Sequence, residues 1–306
     1  MILNLVLNSN NVVSGSNNTR YKYKFTAPLE ILDEAEMSIT NVTIPYSIFN
    51  VTKINANNQF TMSYPIAGTG TYTFTQTIPD GFYSVVDLNA YIQSLFVAQG
   101  FYLIDGQGNY VYYFQLLYNP TYYAVQIVST SIPTSLPAGY TAPSTWTGYP
   151  TAGTVAVSFN PNAGLGKILG FPAGLVSPYT ASYSVLSTLV PQGSVVNSLV
   201  IRSNIIDNDA GFPTDVLDTM PIMSSFGTNL NYMPTTLKWI KCTAGTFQCF
   251  EIYFCDQNLN AIYLLDNNVC ISILLNNKGR IISSPIVNAE ERRNQKLVQR
   301  LALELE

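Results

Sequence analysis

Residues 247–275, FQCFEIYFCDQNLNAIYLLDNNVCISILL, leave little choice of architecture. Phe250, Ile252 and Phe254 alternate with Glu251, Tyr253 and Cys255, the period of two that makes one face of a strand apolar. Asp256-Gln257-Asn258-Leu259-Asn260 reads as a turn, because Asn and Asp tolerate left-handed backbone and bond their own main chain. A second strand over 261–265 stops at Asp266-Asn267-Asn268. A third, 269–275, is apolar almost throughout, as a strand buried on both faces is. Three short strands joined by polar turns predict the closing part of an all-β sandwich.

The start of the chain has the same character. Residues 2–7 alternate weakly, as an edge strand or a tail laid on a neighbour does. In Arg20-Tyr21-Lys22-Tyr23-Lys24-Phe25 the three cations point one way and the three aromatics the other. Two readings stand side by side: a half-exposed strand with its aromatic side in the core, or a basic strip facing nucleic acid or an acidic neighbour. Strands are expected at 36–46, 59–64, 195–206 and 237–242. Residues 172–193, punctuated by proline, are expected to be a linker.

The middle of the chain differs. Between Lys53 and Lys167 there is no other Lys or Arg, and the only acids are Asp80, Asp87 and Asp105. Residues 72–159 hold 19 of the 38 aromatics. Leu88, Tyr91, Ile92 and Leu95 follow helical spacing, with Ser84 or Asp87 as N-cap and Gly100 as the stop. Short strands and turns follow, including the turn Asp105-Gly106-Gln107-Gly108-Asn109, and a short helix ends at Gly170. The expected organisation is a discontinuous sandwich, 1–71 with 176–287, interrupted by an aromatic-rich α+β insert at 72–175 and followed by a C-terminal helix at 288–306.

Charge and composition narrow the chemistry. With 306 residues the chain buries roughly three quarters of its unfolded surface and folds without staples. Only 10% of residues are charged, against about 25% in an ordinary soluble domain. No apolar run approaches the roughly 20 residues that span a bilayer, so no membrane span is expected. A surface covered by Asn, Thr, Ser, Tyr and Gln suits a protein packed against neighbours. Histidine is absent, which removes the commonest general base and the commonest metal ligand. The cysteines, Cys242, Cys249, Cys255 and Cys270, form no CxxC pair, so buried free thiols made in a reducing compartment are expected, with neither zinc nor other cofactor. The start, MILNLVLNSN, lacks the basic and apolar regions of a secretory signal, and the sequons at Asn17, Asn41 and Asn50 are read as chance matches. Residues 163–171, AGLGKILGF, fit no phosphate-loop spacing; their glycines are read as sites of close packing. Asp207-Asn208-Asp209 is read as a turn rather than a calcium loop.

The last segment changes kind again. Residues 278–306 carry ten of the chain's 32 charges. Asn288 with Glu291 makes an N-cap and capping box. Leu297, Val298, Leu301 and Leu305 share one helical face. Such a helix docks on its own domain, caps a neighbouring subunit or contacts nucleic acid. The candidate subunit-interface residues are Arg292, Arg293, Lys296, Leu297, Arg300 and Leu301.

The ending IYFCDQNLNAIYLLDNNVCISILL, the pairing of IPDGFYSVVDLNAYIQSLF at 78–96 with NPNAGLGKILGF at 160–171, and the opening RYKYKFTAPLEILDEAEMSITNVTIPYSIFNV resemble the single jelly-roll minor capsid proteins of virophages and polinton-like viruses, the vertex (penton) proteins above all. Together they cover most of 20–275; the charged C-terminal helix departs from the pattern. The resemblance implies an eight-stranded jelly roll, a homopentamer at an icosahedral vertex, a neighbouring major capsid protein as partner, and a virion location. Two other functions compete with this structural, non-catalytic one. The first is a spike or fibre head whose Tyr-rich insert binds a host glycan or receptor. The second is a β-sandwich glycosidase using Asp207 with Asp209, or Asp215 with Asp218. A net charge of −4 argues against general nucleic-acid binding.

Overall fold

The structure is a computed structural model that describes residues 1–162, 164–176 and 181–277. In chain order the elements are β1 (Ile2–Leu7), β2 (Arg20–Ile31) and β3 (Glu36–Pro45), then β4 (Gln59–Pro65), β5 (Thr71–Thr77), α1 (Val85–Gln99), β6 (Leu103–Ile104), β7 (Tyr110–Val111), β8 (Phe114–Asn119), β9 (Ala124–Ser129), β10 (Ala156–Phe159), α2 (Gly166–Leu169), β11 (Gly174–Leu175) and β12 (Tyr183–Leu186). They end with β13 (Ser198–Ser203), β14 (Val216–Pro221), β15 (Asn229–Tyr232), β16 (Ile240–Lys241), β17 (Gly245–Asp256) and β18 (Cys270–Asn276). Two compact units result: a frame, Met1–Ile48 with Asn197–Glu306, and an insert, Phe49–Val196.

The frame consists of two antiparallel sheets, ordered β1-β18-β3-β15 and β14-β13-β17-β2, with β16 continuing the edge of the first beside β3. Period-two alternation assigns the faces. In the first sheet Leu5, Leu7, Ile39, Val42, Ile271, Ile273 and Leu275 are buried; in the second Tyr21, Leu199, Ile201, Phe250, Ile252 and Phe254. Each large apolar side chain so buried contributes about 1.5–3 kcal/mol. Taken in sequence, the eight long strands alternate between the sheets except that β13 and β14 pair with each other in the second, and β17 and β18 are inner strands of opposite sheets. That is the connectivity of a jelly roll. The expected fold class, a mainly β jelly-roll sandwich with an inserted α+β unit, is what the chain forms.

Several expected boundaries move. The insert begins at 49 rather than 72 and ends at 196 rather than 175, because β4 pairs with β5 and β10, and β12 with β9. The stretch 172–193, expected to be a linker, therefore holds two strands of the insert. The strand expected at 261–265 does not form. Ile262 and Leu264 are buried, but the main chain there bonds to loops: Leu264 N–H donates to Asn17 C=O at 3.1 Å and Leu265 N–H to Ser47 Oγ at 3.1 Å. Alternation reports which face is covered, not what the backbone bonds to. The strand expected over 195–206 is the shorter β13, and the one expected at 237–242 is the two-residue β16. The C-terminal helix and all six candidate interface residues on it lie outside the described residues.

In the insert, Ser84 is the N-cap of α1 and Asp87 its third helical residue. Ser84 Oγ accepts the Asp87 N–H at 3.2 Å, and Asp87 Oδ2 accepts the Ser84 N–H at 2.9 Å, closing a capping box. Gly100 ends the helix in the left-handed region at φ 74°. The turn at Asp105 and the turn at Asp256 are the same device. In each, the Asp Oδ1 accepts the N–H groups two and four residues on, at 2.9 and 2.8 Å from Gln107 and Asn109, and at 2.8 and 2.7 Å from Asn258 and Asn260. Around Gly166 the packing is tight: a Cβ there would stand 2.7 Å from the Phe171 carbonyl oxygen and 3.0 Å from Phe159 Cβ. Close packing accounts for this glycine, as the sequence predicted.

A polar clasp joins the two sheets of the frame at one edge. Asp218 on β14 sits opposite the inward Ile201 and is almost fully buried. It accepts hydrogen bonds from the Tyr232 hydroxyl on β15 at 2.7 Å and from Lys238 Nζ at 2.9 Å. Removing the carboxylate leaves the Tyr232 hydroxyl without its acceptor. Asp218→Ala is expected to destabilise the chain by about 1–3 kcal/mol, whereas Asp209→Ala on an exposed turn stays within about 0.5 kcal/mol; denaturant unfolding of both variants checks the difference.

Candidate assembly surfaces

The basic strip of β2 exists. Lys22 and Lys24 are exposed, with Tyr21 fully buried behind them and Tyr23 packed against Phe250 at a centroid distance of 5.5 Å. The register with β17 explains how much of its charge is spent. Lys22 lies opposite Glu251 and Arg20 opposite Tyr253. Glu251 takes both Arg20, at 2.5 Å, and Lys22, at 3.4 Å. On this outer face the strip is therefore partly neutralised by its own neighbour strand.

Further along the same face Arg202 on β13 stands opposite Tyr253. It donates to Asp215 from Nε at 2.9 Å and from Nη2 at 2.8 Å, and lies 4.9 Å from the centroid of the Tyr253 ring. The Tyr253 hydroxyl donates to the same carboxylate. Burial pushes the Asp215 carboxyl up, but hydrogen bonds from Arg202 and Tyr253 outweigh it and hold it below the ordinary carboxylate value.

The other outer face, over β1, β18 and β3, is almost free of charge. Its outward register positions are Ile2, Asn4, Val6, Cys270, Ser272, Leu274, Asn276, Asn41 and Thr43, with Glu36 as the charged exception; Ser38, in register with Leu274, is fully buried. Elsewhere large apolar side chains stand in solvent. Phe212 is 98% exposed and Met223 87%. No reading of the sequence marked these two; a Gly-Phe-Pro loop between strands was the available signal for the first.

The insert carries two surfaces. Tyr118, Tyr122 and Tyr123 are exposed at the β8–β9 hairpin. On the sheet β11-β10-β4-β5, hydroxyls form a cross-strand ladder: Thr61 to Thr75 at 2.8 Å, Ser63 to Thr73 at 3.0 Å, and the Gln59 amide to Thr77 at 3.2 Å.

The carboxylates considered for acid–base work are not brought together as pairs. Asp215 faces outward to Arg202 and Tyr253, whereas Asp218 faces inward to Tyr232 and Lys238. Asp207 and Asp209 flank the turn at Asn208, whose Oδ1 accepts the Ala210 N–H at 3.3 Å. Among the described residues no group of three His, Cys, Asp or Glu side chains is placed to hold a metal ion, and no helix is long and apolar enough to cross a membrane. The cysteines are free. Cys242 and Cys255 are buried, Cys249 and Cys270 half-buried.

No family model and no curated protein matches the chain. Among solved structures it is similar to the mavirus penton protein, with a TM-score of 0.44 and 10% identity over 90% of this chain and 98% of that one. It is also similar to a chain of the Sputnik virophage, with a TM-score of 0.37 and 11% identity over 90% and 96%. Both TM-scores lie below 0.5, so the assignment of the fold rests on the strand order alone.

Two weak acids of the frame, the buried Cys242 and the half-buried Tyr253, make it sensitive to alkaline pH. The Cys242 thiol is pushed up to about 12, by burial and then by the charge of Glu36. The Tyr253 phenol is pushed up to about 12, by burial and then by its hydrogen bond to Asp215. Both folded values exceed the unfolded ones, so this stability is complete below the ordinary thiol and phenol values, near 9 and 10, and drains away as the pH climbs towards 12. The thermal midpoint is expected to fall progressively above about pH 9. A Tyr253→Phe variant should lose less between pH 10 and 12 than the parent chain, as scanning calorimetry across that range would show.

Proposed function

We propose that this chain is a non-catalytic structural capsid subunit and that five copies close the vertex of an icosahedral shell. The strand order of the frame supports this most directly, as two facing four-stranded sheets with jelly-roll connectivity. A fold of this kind hosts many functions, so surface chemistry has to choose among them. The nearly uncharged outer face of β1, β18 and β3 suits coverage by neighbouring subunits, because interface cores are depleted in charge. The carboxylates that a glycosidase would need are engaged in structural pairs or separated by a turn.

Five copies meet through a heterologous contact that closes on itself. The segment 288–306, with Arg292, Arg293, Lys296, Leu297, Arg300 and Leu301, supplies part of that contact, and a major capsid protein surrounds the ring in the virion. The four free thiols fit synthesis in a reducing compartment. Sedimentation of the full chain should give a fivefold species, and truncation before Asn288 should dissolve it. A stable trimer would overturn the vertex reading in favour of a spike.

A second reading is favoured by the exposed tyrosines of the β8–β9 hairpin. Aromatic faces flanked by amide and hydroxyl groups bind sugars, so the insert is a host-attachment surface. A glycan array should show binding that Tyr122→Ala weakens; an array without any bound glycan rejects this role.

A further inference from the structure

Strand β5 is the outermost strand of the sheet β11-β10-β4-β5. Among the described residues no strand or bridge pairs with its far side. Which main-chain groups are left open follows from the ladder. Ile66 N–H donates to Gly70 C=O at 3.0 Å, and Ile78 N–H donates to Asn58 C=O at 2.7 Å. Hydrogen-bonded pairs alternate along an antiparallel ladder. With Tyr64 opposite Tyr72, Met62 opposite Phe74 and Phe60 opposite Gln76, those three β5 residues direct their groups to β4. Thr71, Thr73, Thr75 and Thr77 therefore direct theirs to the open edge.

Protein edges of this kind are ordinarily blunted by charge, proline, a bulge, shortness or a cover. Strand β2 carries Lys22, Lys24 and Pro28. The edge of β8 is met by α1, where Asn89 Oδ1 accepts the Leu116 N–H at 2.9 Å. Strand β5, TYTFTQT, has seven residues, no charge, no proline and an unshifted register with β4.

The same seven residues are symmetric about Phe74. Thr73 and Thr75 flank it, Thr71 and Thr77 lie equally far out, and Tyr72 and Gln76 share its face. We propose that β5 is a pairing edge for a second copy of this chain, joined antiparallel about a two-fold axis at Phe74 into one continuous sheet. In that register Thr73 opposes Thr75 of the other copy and Thr71 opposes Thr77, so open main-chain groups meet open main-chain groups. The hydroxyl ladder from Thr61 and Ser63 continues across the contact, and Phe74 meets its counterpart. A two-fold contact sets every charge at its centre against its own copy. Neither β4 nor β5 carries any.

A strand pair this short buries less than the roughly 800 Å² per partner of a standard interface. Pairing is therefore weak between free chains and strengthens where other contacts gather copies. A closed ring of five has no two-fold axis of its own, so β5 joins copies outside one ring. The pairing stands whether or not the frame forms a ring.

Cysteine cross-linking in full-length protein tests the register. Thr73→Cys and Thr75→Cys, each in a chain with Cys249 and Cys270 changed to Ser, are purified separately and oxidised mildly, alone and as an equal mixture. Both substitutions lie on the hydroxyl face, outside the core. The mixture should yield several-fold more covalent dimer than either variant alone, because Thr73 and Thr75 sit directly opposite whereas each is diagonal to its own counterpart. Equal yield in all three samples, or no dimer in the mixture, overturns the proposal.

Discussion

The frame depends on the burial of β17 against β18 across the sandwich. The two strands are neighbours in sequence, yet each is central to a different sheet. The connection between them leaves one sheet and enters the other. Strand β2 flanks β17, and β1 flanks β18. The apolar faces that this arrangement shuts away, Phe250, Ile252 and Phe254 on one side and Ile271, Ile273 and Leu275 on the other, make any exchange of sheets costly.

Polar groups secure what the apolar faces leave open. Strands β14 and β15 are edges of opposite sheets, and the carboxylate of Asp218 binds one to the other through Tyr232 and Lys238. On the outer face, Arg202, Asp215 and Tyr253 satisfy one another over three successive segments. Seven charged side chains of the frame are taken up in such structural pairs. The outer face over β1, β18 and β3 is mostly hydroxyl, amide and apolar surface.

The insert follows a different economy. Its core is aromatic: Tyr64 stacks on Phe101 at 4.0 Å between centroids, with Phe96 and Phe114 packed beside them. A helix covers one sheet edge and an open hydroxyl-lined strand forms another. The unit is locally well specified by caps and turns, and it leaves its surface chemistry to tyrosine and threonine.

By itself the sequence determined the local devices: the period of two in β2 and β17, the Asp-led turns at 105 and 256, and the N-cap and glycine stop of α1; that β18 alternates, with Cys270, Ser272 and Leu274 outward, was hidden by its nearly unbroken apolar run. Each depends on residues within a few positions of one another, so a string of residues is enough to read it. Its sparsely charged, histidine-free composition also narrows the function. Only the tertiary structure decided which strands pair, where the insert begins and ends, that 261–265 bonds to loops, and which partners Asp215 and Asp218 take. These choices join residues far apart in the chain, and alternation is equally satisfied by many pairings. The selection among them is made by the mutual burial of whole faces, which no single segment contains.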